Sequence, residues 1–315
     1  MFKRLLLLLM ALPFTFIVLP ATAAQAGTWG AYPPSTTKRT CSPTRVWHGA
    51  AHQVCLEFNY ARTEVRAIAF IDPSAYTNFQ VNMRLWFGND GVSVPQSCPT
   101  MTGDGPRACW TGWTALRLPY VVADANFGIA GEWMLPVRAL DMKLSAKTQE
   151  TNTYCGPAAV QTVLATIGVS APSQSSLADR MATDVFHFTL PGGLAPAINA
   201  YAGAPDYHGY YQSLTPEGFE YGIREIVDSL SRGKPAILLV RSGSLPWSNA
   251  SPLLRHYIVI HGFGGWQNPD DGTWVATGFK VLDVWDGEEH PLSMEQFLAA
   301  TTLAVSDGEY FVART

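Results

Sequence analysis

Gln149 stands six residues ahead of Cys155, and Cys155-Gly156-Pro157-Ala158-Ala159 opens a run of small and apolar residues. Pro157 suits the first turn of a helix, where a backbone N–H is not needed, so Cys155 is expected at a helix N-terminus. A sulfur there faces unpaired N–H groups and the positive end of the helix dipole, both of which favour its charged form. Four further cysteines (Cys41, Cys55, Cys98 and Cys109) precede it. Paired among themselves, they leave Cys155 as the odd thiol and the first candidate for a nucleophile.

Thiol hydrolysis needs a nucleophile, a base for its proton, a group that orients the base, and donors for the oxyanion. Each has a candidate after residue 138. The Cys155 backbone N–H and the Gln149 amide are the candidate oxyanion donors. The base must be a histidine from far along the chain. In Arg255-His256-Tyr257-Ile258-Val259-Ile260-His261, alternation sets His256 with Ile258 and Ile260, and His261 with Tyr257 and Val259. Only one of the two rings can therefore face the thiol. In Val281-Leu282-Asp283-Val284-Trp285 a lone carboxylate sits among apolar neighbours, which is costly unless something pairs with it. An imidazole on the adjoining strand is the natural partner, giving a Cys–His–Asp set.

The elements that must position these groups can be read from periodicity. The helix opened by Pro157 is largely buried and ends at Gly168; residues 173–182 form a second. Thr215-Pro216-Glu217 opens a third, with Phe219, Ile223, Ile226, Val227 and Leu230 on one face and Gly233 as its stop. Residues 139–144 read as an entry strand, and 235–241, 256–263, 274–284 and 309–313 as later ones. Ser293-Met294-Glu295-Gln296 is a capping box for a short helix between the last two. Helices followed by antiparallel strands make residues 139–315 an α+β unit.

Residues 27–138 show no helical period. Runs at 63–71, 78–87 and 113–122 alternate with Asp72-Pro73-Ser74, Gly88-Asn89-Asp90-Gly91 and Gly103-Asp104-Gly105-Pro106, the spacing of a small all-β sandwich. Sequential pairing, Cys41 with Cys55 and Cys98 with Cys109, closes two short loops, each stabilising by roughly 3 kcal/mol. The cysteines are too widely spaced for a zinc knuckle, and no histidine pair stands at ligand spacing nearby. Trp29, Trp47, Trp86, Trp110, Trp113 and Trp133 are expected to fill this core rather than to form a glycan-binding surface. His48 and His52 are expected at the surface.

Residues 1–26 have the order of a signal peptide: basic Lys3 and Arg4, an apolar run broken by Pro13, then Ala24-Gln25-Ala26. The mature chain is expected to start near Gly27 and to be secreted, which permits disulfides. No later segment is apolar for long enough to span a bilayer, so no stable membrane insertion is expected after cleavage. The net charge is −4, or −6 once Lys3 and Arg4 leave, with 47% apolar and 15% charged residues. No basic strip is present, and nucleic acid is not an expected partner. Neither a nucleotide loop nor a metal-ligand cluster occurs, so neither cofactor nor metal is expected.

Taken together, the Gln149-x5-Cys155-Gly156-Pro157-Ala158-Ala159 segment, the His-Tyr-Ile-Val-Ile-His-Gly-Phe strand and the Val-Leu-Asp strand resemble the bacteriocin-processing-peptidase-like (C39-like) cysteine peptidases of the papain superfamily. Leu190-Pro191-Gly192-Gly193 before residues 195–201, and Gly233-Lys234-Pro235-Ala236 before a strand, extend the likeness over about 140–315. The resemblance implies a papain-like fold, with Cys155 as nucleophile, His256 rather than His261 as base, Asp283 as orienting carboxylate and Gln149 as oxyanion donor. One departure stands out. The family pattern has Asp-Pro where this chain has Asp283-Val284-Trp285-Asp286-Gly287, which leaves Asp286 as a substitute that alternation would aim away from the face of Asp283.

The expected activity is that of a secreted cysteine peptidase acting on a peptide or protein, with the cell surface a candidate place to meet it. Two alternatives use the same frame: acyl transfer or cross-linking through the same residues, and a non-catalytic surface-binding protein.

Overall fold

The computed structural model describes residues 29–32, 39–73, 78–88, 92–101, 105–117, 119–129, 131–183, 188–212, 216–248, 254–301 and 309–314. The leader expected at 1–26 lies outside these residues, as do positions 74, 89–91 and 103–104 of the expected turns. The first strands are β1 (Arg39–Cys41), β2 (Arg45–Trp47), β3 (Ala50–Phe58), β4 (Glu64–Pro73), β5 (Phe79–Phe87) and β6 (Ser93–Cys98). β7 (Arg107–Trp110), β8 (Thr114–Ala115), β9 (Tyr120–Ile129), β10 (Glu132–Trp133) and β11 (Val137–Met142) follow. The helical stretch holds α1 (Cys155–Thr166), α2 (Gln174–Arg180), α3 (Leu194–Ala202), β12 (Tyr207–Gln212) and α4 (Pro216–Ser231). β13 (Ala236–Arg241), β14 (Arg255–Gln267), β15 (Trp274–Asp283), β16 (Glu289–Ser293), α5 (Met294–Thr301) and β17 (Glu309–Arg314) complete the chain.

Local sequence explains most of these elements. Along β5, Phe79, Val81, Met83, Leu85 and Phe87 are buried, while Gln80, Asn82 and Arg84 between them are exposed. α5 begins with the expected capping box: the Gln296 N–H donates to Ser293 Oγ at 3.2 Å, and the Ser293 N–H to Gln296 Oε1 at 2.9 Å. The run expected at 113–122 is two strands, β8 and the start of β9, separated around Pro119. Proline has no N–H for a ladder, so pairing resumes only at Tyr120.

Two sheets result, and every strand pair in them is antiparallel. The smaller runs β1-β3-β4-β7, with β2 on β3 and β8 on β4. The larger runs β12-β17-β13-β14-β11-β9-β5-β6, with β15 also on β14, β16 on β15 and β10 on β9. Three large apolar cores follow from this layering, with a small fourth of Cys55, Ile68, Phe70 and Ala108 on the outer side of the small sheet. One lies between the small sheet and the inner face of β5, β9 and β11. A second lies under α1, α2 and α3 against β13, β14 and β15. The third lies on the outer face under α4 and α5.

Both disulfides pair as expected. Cys41–Cys55 joins directly opposed residues of β1 and β3, and Cys98–Cys109 ties β6 of the large sheet to β7 of the small one. Trp29, Trp47, Trp86 and Trp110 pack against cores, while Trp113 and Trp133 are exposed. His48 is exposed as expected, but His52 is not: it is 2% exposed and packs on Phe127 with ring centres 4.7 Å apart. Ala50, His52, Val54 and Leu56 share the core face of β3, and burial pushes the His52 ring down to about pH 4 despite the bond to the Ala50 carbonyl. Among the described residues, no helix is long and apolar enough to cross a membrane.

Candidate active site

Cys155 is the first residue of α1, and it is a free, buried thiol. The Ala158 N–H donates to the Tyr154 carbonyl at 2.9 Å, and Pro157 has no N–H to offer. Among the described residues no backbone carbonyl accepts from Cys155 or Gly156, so two donors stand open at the helix mouth. The mouth is pressed against Thr189. A Cβ on Gly156 would lie 2.2 Å from Thr189 Oγ1 and 2.5 Å from its Cβ. Thr189 is itself fixed: its Oγ1 bonds Thr183 Oγ1 at 2.6 Å, and its carbonyl accepts from the Tyr257 hydroxyl at 3.0 Å. Helix mouth and histidine strand are thus joined through one buried threonine.

The loop entering α1 is held by side chains. Thr162 and Thr166 accept from the Lys147 and Ser145 N–H groups, at 3.1 and 3.0 Å. Buried Gln174 of α2 accepts from the Glu150 N–H at 2.9 Å and donates to the Thr148 carbonyl at 2.8 Å. The Gln149 N–H donates to the Val284 carbonyl at 2.8 Å, which ties this loop to the residue after Asp283. The Gln149 side chain donates from Nε2 to the Thr151 carbonyl at 2.7 Å. Its second amide hydrogen is left available.

His256 begins β14, and Asp283 ends β15. Tyr257 and Val259 lie in the core of Cys155 and α1, whereas Ile258 and Ile260 lie under α4 and α5. Alternation thus gives His256 the face away from α1. It nevertheless interacts with Cys155, because His256 stands at the start of β14 and Cys155 at the mouth of α1. His256 Nε2 is 2.6 Å from Asp283 Oδ1, which leaves Nδ1 for the sulfur. Asp283 also accepts from Trp247 Nε1 at 2.9 Å and from the Trp285 N–H at 2.8 Å.

Burial of the His256 ring works against its charge, but bonds to Asp283 and Cys155 outweigh it and raise the ring to about 9. Burial would likewise raise Asp283; its bonds to His256, Trp247 and the Trp285 N–H hold it below the usual carboxylate range. Asp286 does not substitute for it. Its carboxylate accepts from His290 Nε2 at 2.9 Å, and that ring stacks on Trp247 with centres 4.0 Å apart. The indole is thereby fixed from both sides. Trp247→Phe is expected to keep the stack but lose the bond to Asp283, at about 1–2 kcal/mol. Asp283 would then protonate at a higher pH, so stability should fail sooner on acidification; urea denaturation from pH 7 to 4 checks this.

His261 is elsewhere. Ile260 pairs with Val281 and Gly262 with Lys280, so His261 is the extra residue of a β-bulge. Its Nδ1 lies 3.2 Å from Asp141 Oδ1 and 3.1 Å from the Met142 carbonyl. Asp141 is fully buried and also accepts from Thr40 Oγ1 (2.6 Å), Lys280 Nζ (2.9 Å) and an Arg62 guanidinium nitrogen (3.2 Å). Burial would push this carboxyl up, but Lys280 and Arg62 hold it well below the usual range. Glu289 bridges the same Lys280 and Arg62. The second histidine is therefore part of a buried ionic cluster between the sheets.

One family model, described as Peptidase_C39 like family, matches residues 141–300, just over half of the chain. The chain belongs to this family. Gln149, Cys155, His256 and Asp283 all fall inside the match, whereas β1 to β10 precede it. No curated protein and no solved structure matches the chain. Trp247 and Thr189, which hold the site of this C39-like chain together, carry no periodic or spacing signal. Both act across long sequence separations on residues they do not neighbour.

Proposed function

We propose that this C39-like chain is an exported cysteine peptidase with a papain-like catalytic arrangement: α1 brings Cys155 to the end of an antiparallel sheet, which supplies His256 and Asp283. The observation that carries the reading is the buried relay from Cys155 through His256 to Asp283. In the proposed reaction Sγ attacks the scissile carbonyl carbon as His256 Nδ1 holds the thiol proton. The oxyanion is met by the Cys155 N–H and by the free amide hydrogen of Gln149. Collapse breaks the C–N bond, and His256 gives its proton to the leaving amine. Water then attacks the thioester with Nδ1 as base, releasing the acid and the thiol.

Leu190, Leu254 and Trp285, next in sequence to Thr189, Arg255 and Val284, are exposed and are the apolar contacts this reading assigns to a bound peptide. Two disulfides agree with export. The strand β11 is shared by the two parts, a sandwich over 27–138 and a hydrolase over 139–315, since it pairs with both β9 and β14.

The other four cysteines are bonded, so an alkylating reagent has one target. Iodoacetamide at pH 7 is expected to label Cys155 rapidly in the native chain, and at least about tenfold more slowly after His256→Ala. Hydrolysis of an unstructured protein such as casein should fall in parallel, and product masses with and without an added amine separate hydrolysis from acyl transfer. Equal labelling of the two proteins would remove the activated pair and the reading with it.

A further inference from the structure

The outer face of the large sheet holds an open cleft, far from the thiol. α4 and α5 cover this face over β13, β14 and β15, but along β5 the side chains of Arg84, Asn82 and Gln80 are exposed. Asn82 is directly opposite Asn126, and Arg84 opposite Asp124, all four turned away from the sandwich core. With Arg138 of β11 and Trp274 of β15 they line a cleft of about 350 Å³.

The polar groups of the cleft are fixed in place. Arg138 grips Asp124 with two bonds of 2.7 and 2.9 Å, and its guanidinium carbon lies over the Trp274 ring, 3.7 Å from its centre. Asp124 also accepts from Trp86 Nε1 at 3.0 Å and from Arg84 at 3.3 Å. The Arg84 side chain remains 55% exposed, with donors directed to the cleft side of the sheet. Asn126 is anchored by its bond to the Met134 carbonyl at 3.3 Å.

At one end of this row lies an indole. A Cβ on Gly128 would come within 2.8 Å of two carbons of the Trp133 ring, so Trp133 rests on bare backbone at that point. Gly128 shares the outer face with Asn126 and Asp124, and Trp133 is 44% exposed. Four residues separate Gly128 from Asp124, so indole, facing amides and guanidinium–carboxylate pair extend over roughly 13 Å. An apolar ring face beside a row of rigid, planar donors and acceptors matches a pyranose chain, whose C–H face stacks and whose neighbouring hydroxyls bond in pairs. The row is long enough for about two or three sugar units.

We propose that this cleft binds an oligosaccharide, stacked on Trp133 and bonded by Asn82, Asn126 and Arg84. Gln267 also lines the cleft, and His256 is eleven residues earlier on the same strand, so the two sites are roughly 35 Å apart. At that distance the cleft does not position the scissile bond; it holds the chain on a polysaccharide surface. The proposal does not depend on the reaction at Cys155.

Co-sedimentation of the full chain with insoluble peptidoglycan, chitin and cellulose tests it, together with a soluble glycan array. The native chain is expected to be retained by at least one polysaccharide. Trp133→Ala and Asn82→Ala, both at exposed positions and checked for folding by thermal midpoint, are each expected to weaken retention by about tenfold. Failure to bind any glycan, retention unchanged in both variants, or occupation of this face by a protein partner instead would overturn the proposal.

Discussion

Asp283→Ala is expected to lower hydrolysis by about 10³–10⁴-fold, because the ring it holds would lose both its orientation and its tautomer. Three donors converge on this carboxylate: His256 Nε2, Trp247 Nε1 and the Trp285 N–H. Removal leaves each of them without its acceptor in a site where Asp283 itself is 4% exposed, so stability should fall by about 3 kcal/mol as well. Asp283→Asn should be milder in stability yet still impaired. Its oxygen can serve His256, but its amide would then meet the Trp247 N–H, donor against donor. Adding Trp247→Phe to Asp283→Asn should therefore recover part of the loss, a coupling that a double-mutant cycle measures.

The same pair sets a pH signature. His256 titrates at about 9 in the folded chain, above the value of 6.5 usual for a free histidine. Its contribution is thus fully present below pH 6.5 and is lost as pH rises through 9, on the order of 3 kcal/mol in all. Asp283 is shifted the other way, so its share is present above the usual carboxylate range and lost as pH falls through its depressed folded value. The stability difference between the native chain and Asp283→Ala should be greatest near pH 6 and shrink by pH 9.5. A constant difference across that interval would contradict the geometry.

Gly264→Ala is expected to be the most damaging glycine substitution in the histidine strand. A Cβ there would fall 1.9 Å from the Cys41 carbonyl oxygen and 2.9 Å from its carbon. Both obstacles are backbone, and Cys41 is held by its bond to Cys55 and by its place opposite Cys55 in the ladder. The small sheet would have to lift from β14, at about 3 kcal/mol or more, lowering Tm by roughly 5–10 °C. Gly112→Ala, with nothing within 4 Å of the added carbon, should move Tm little. Calorimetry of the two variants side by side makes the comparison.

What could be read from sequence was what obeys local rules. The odd cysteine, the Pro157 helix start, the face of α4 and the Ser293–Gln296 cap all depend on residues within a few positions of one another, and each stands in the structure. The choice between His256 and His261 was different in kind. Alternation separated the two rings but did not say which met the sulfur; only the resemblance to the family pointed to His256. Alternation would even have set His256 on the face away from α1, had the site not been at the strand end. His52 had a readable signal in Ala50-x-His52-x-Val54-x-Leu56, a core face that the neighbouring cysteines obscured. Trp247, Thr189 and the Asp141 cluster had none, because their partners are brought together only by the assembled sheets.

That cluster bears on how the chain can be divided. Thr40 of β1 and Arg62 of the turn between β3 and β4 lie ahead of the family-matched segment, while Asp141, His261, Lys280 and Glu289 come from within it. A shortened protein starting at β11 would expose a stranded carboxylate, lacking both of its cross-sheet companions, together with the uncovered glycines of β14. Expressed alone, such a fragment is prone to clump. A cut near residue 138 in the folded chain would instead leave two pieces clasped by charge and by packing, so that a nick in the backbone need not release either one.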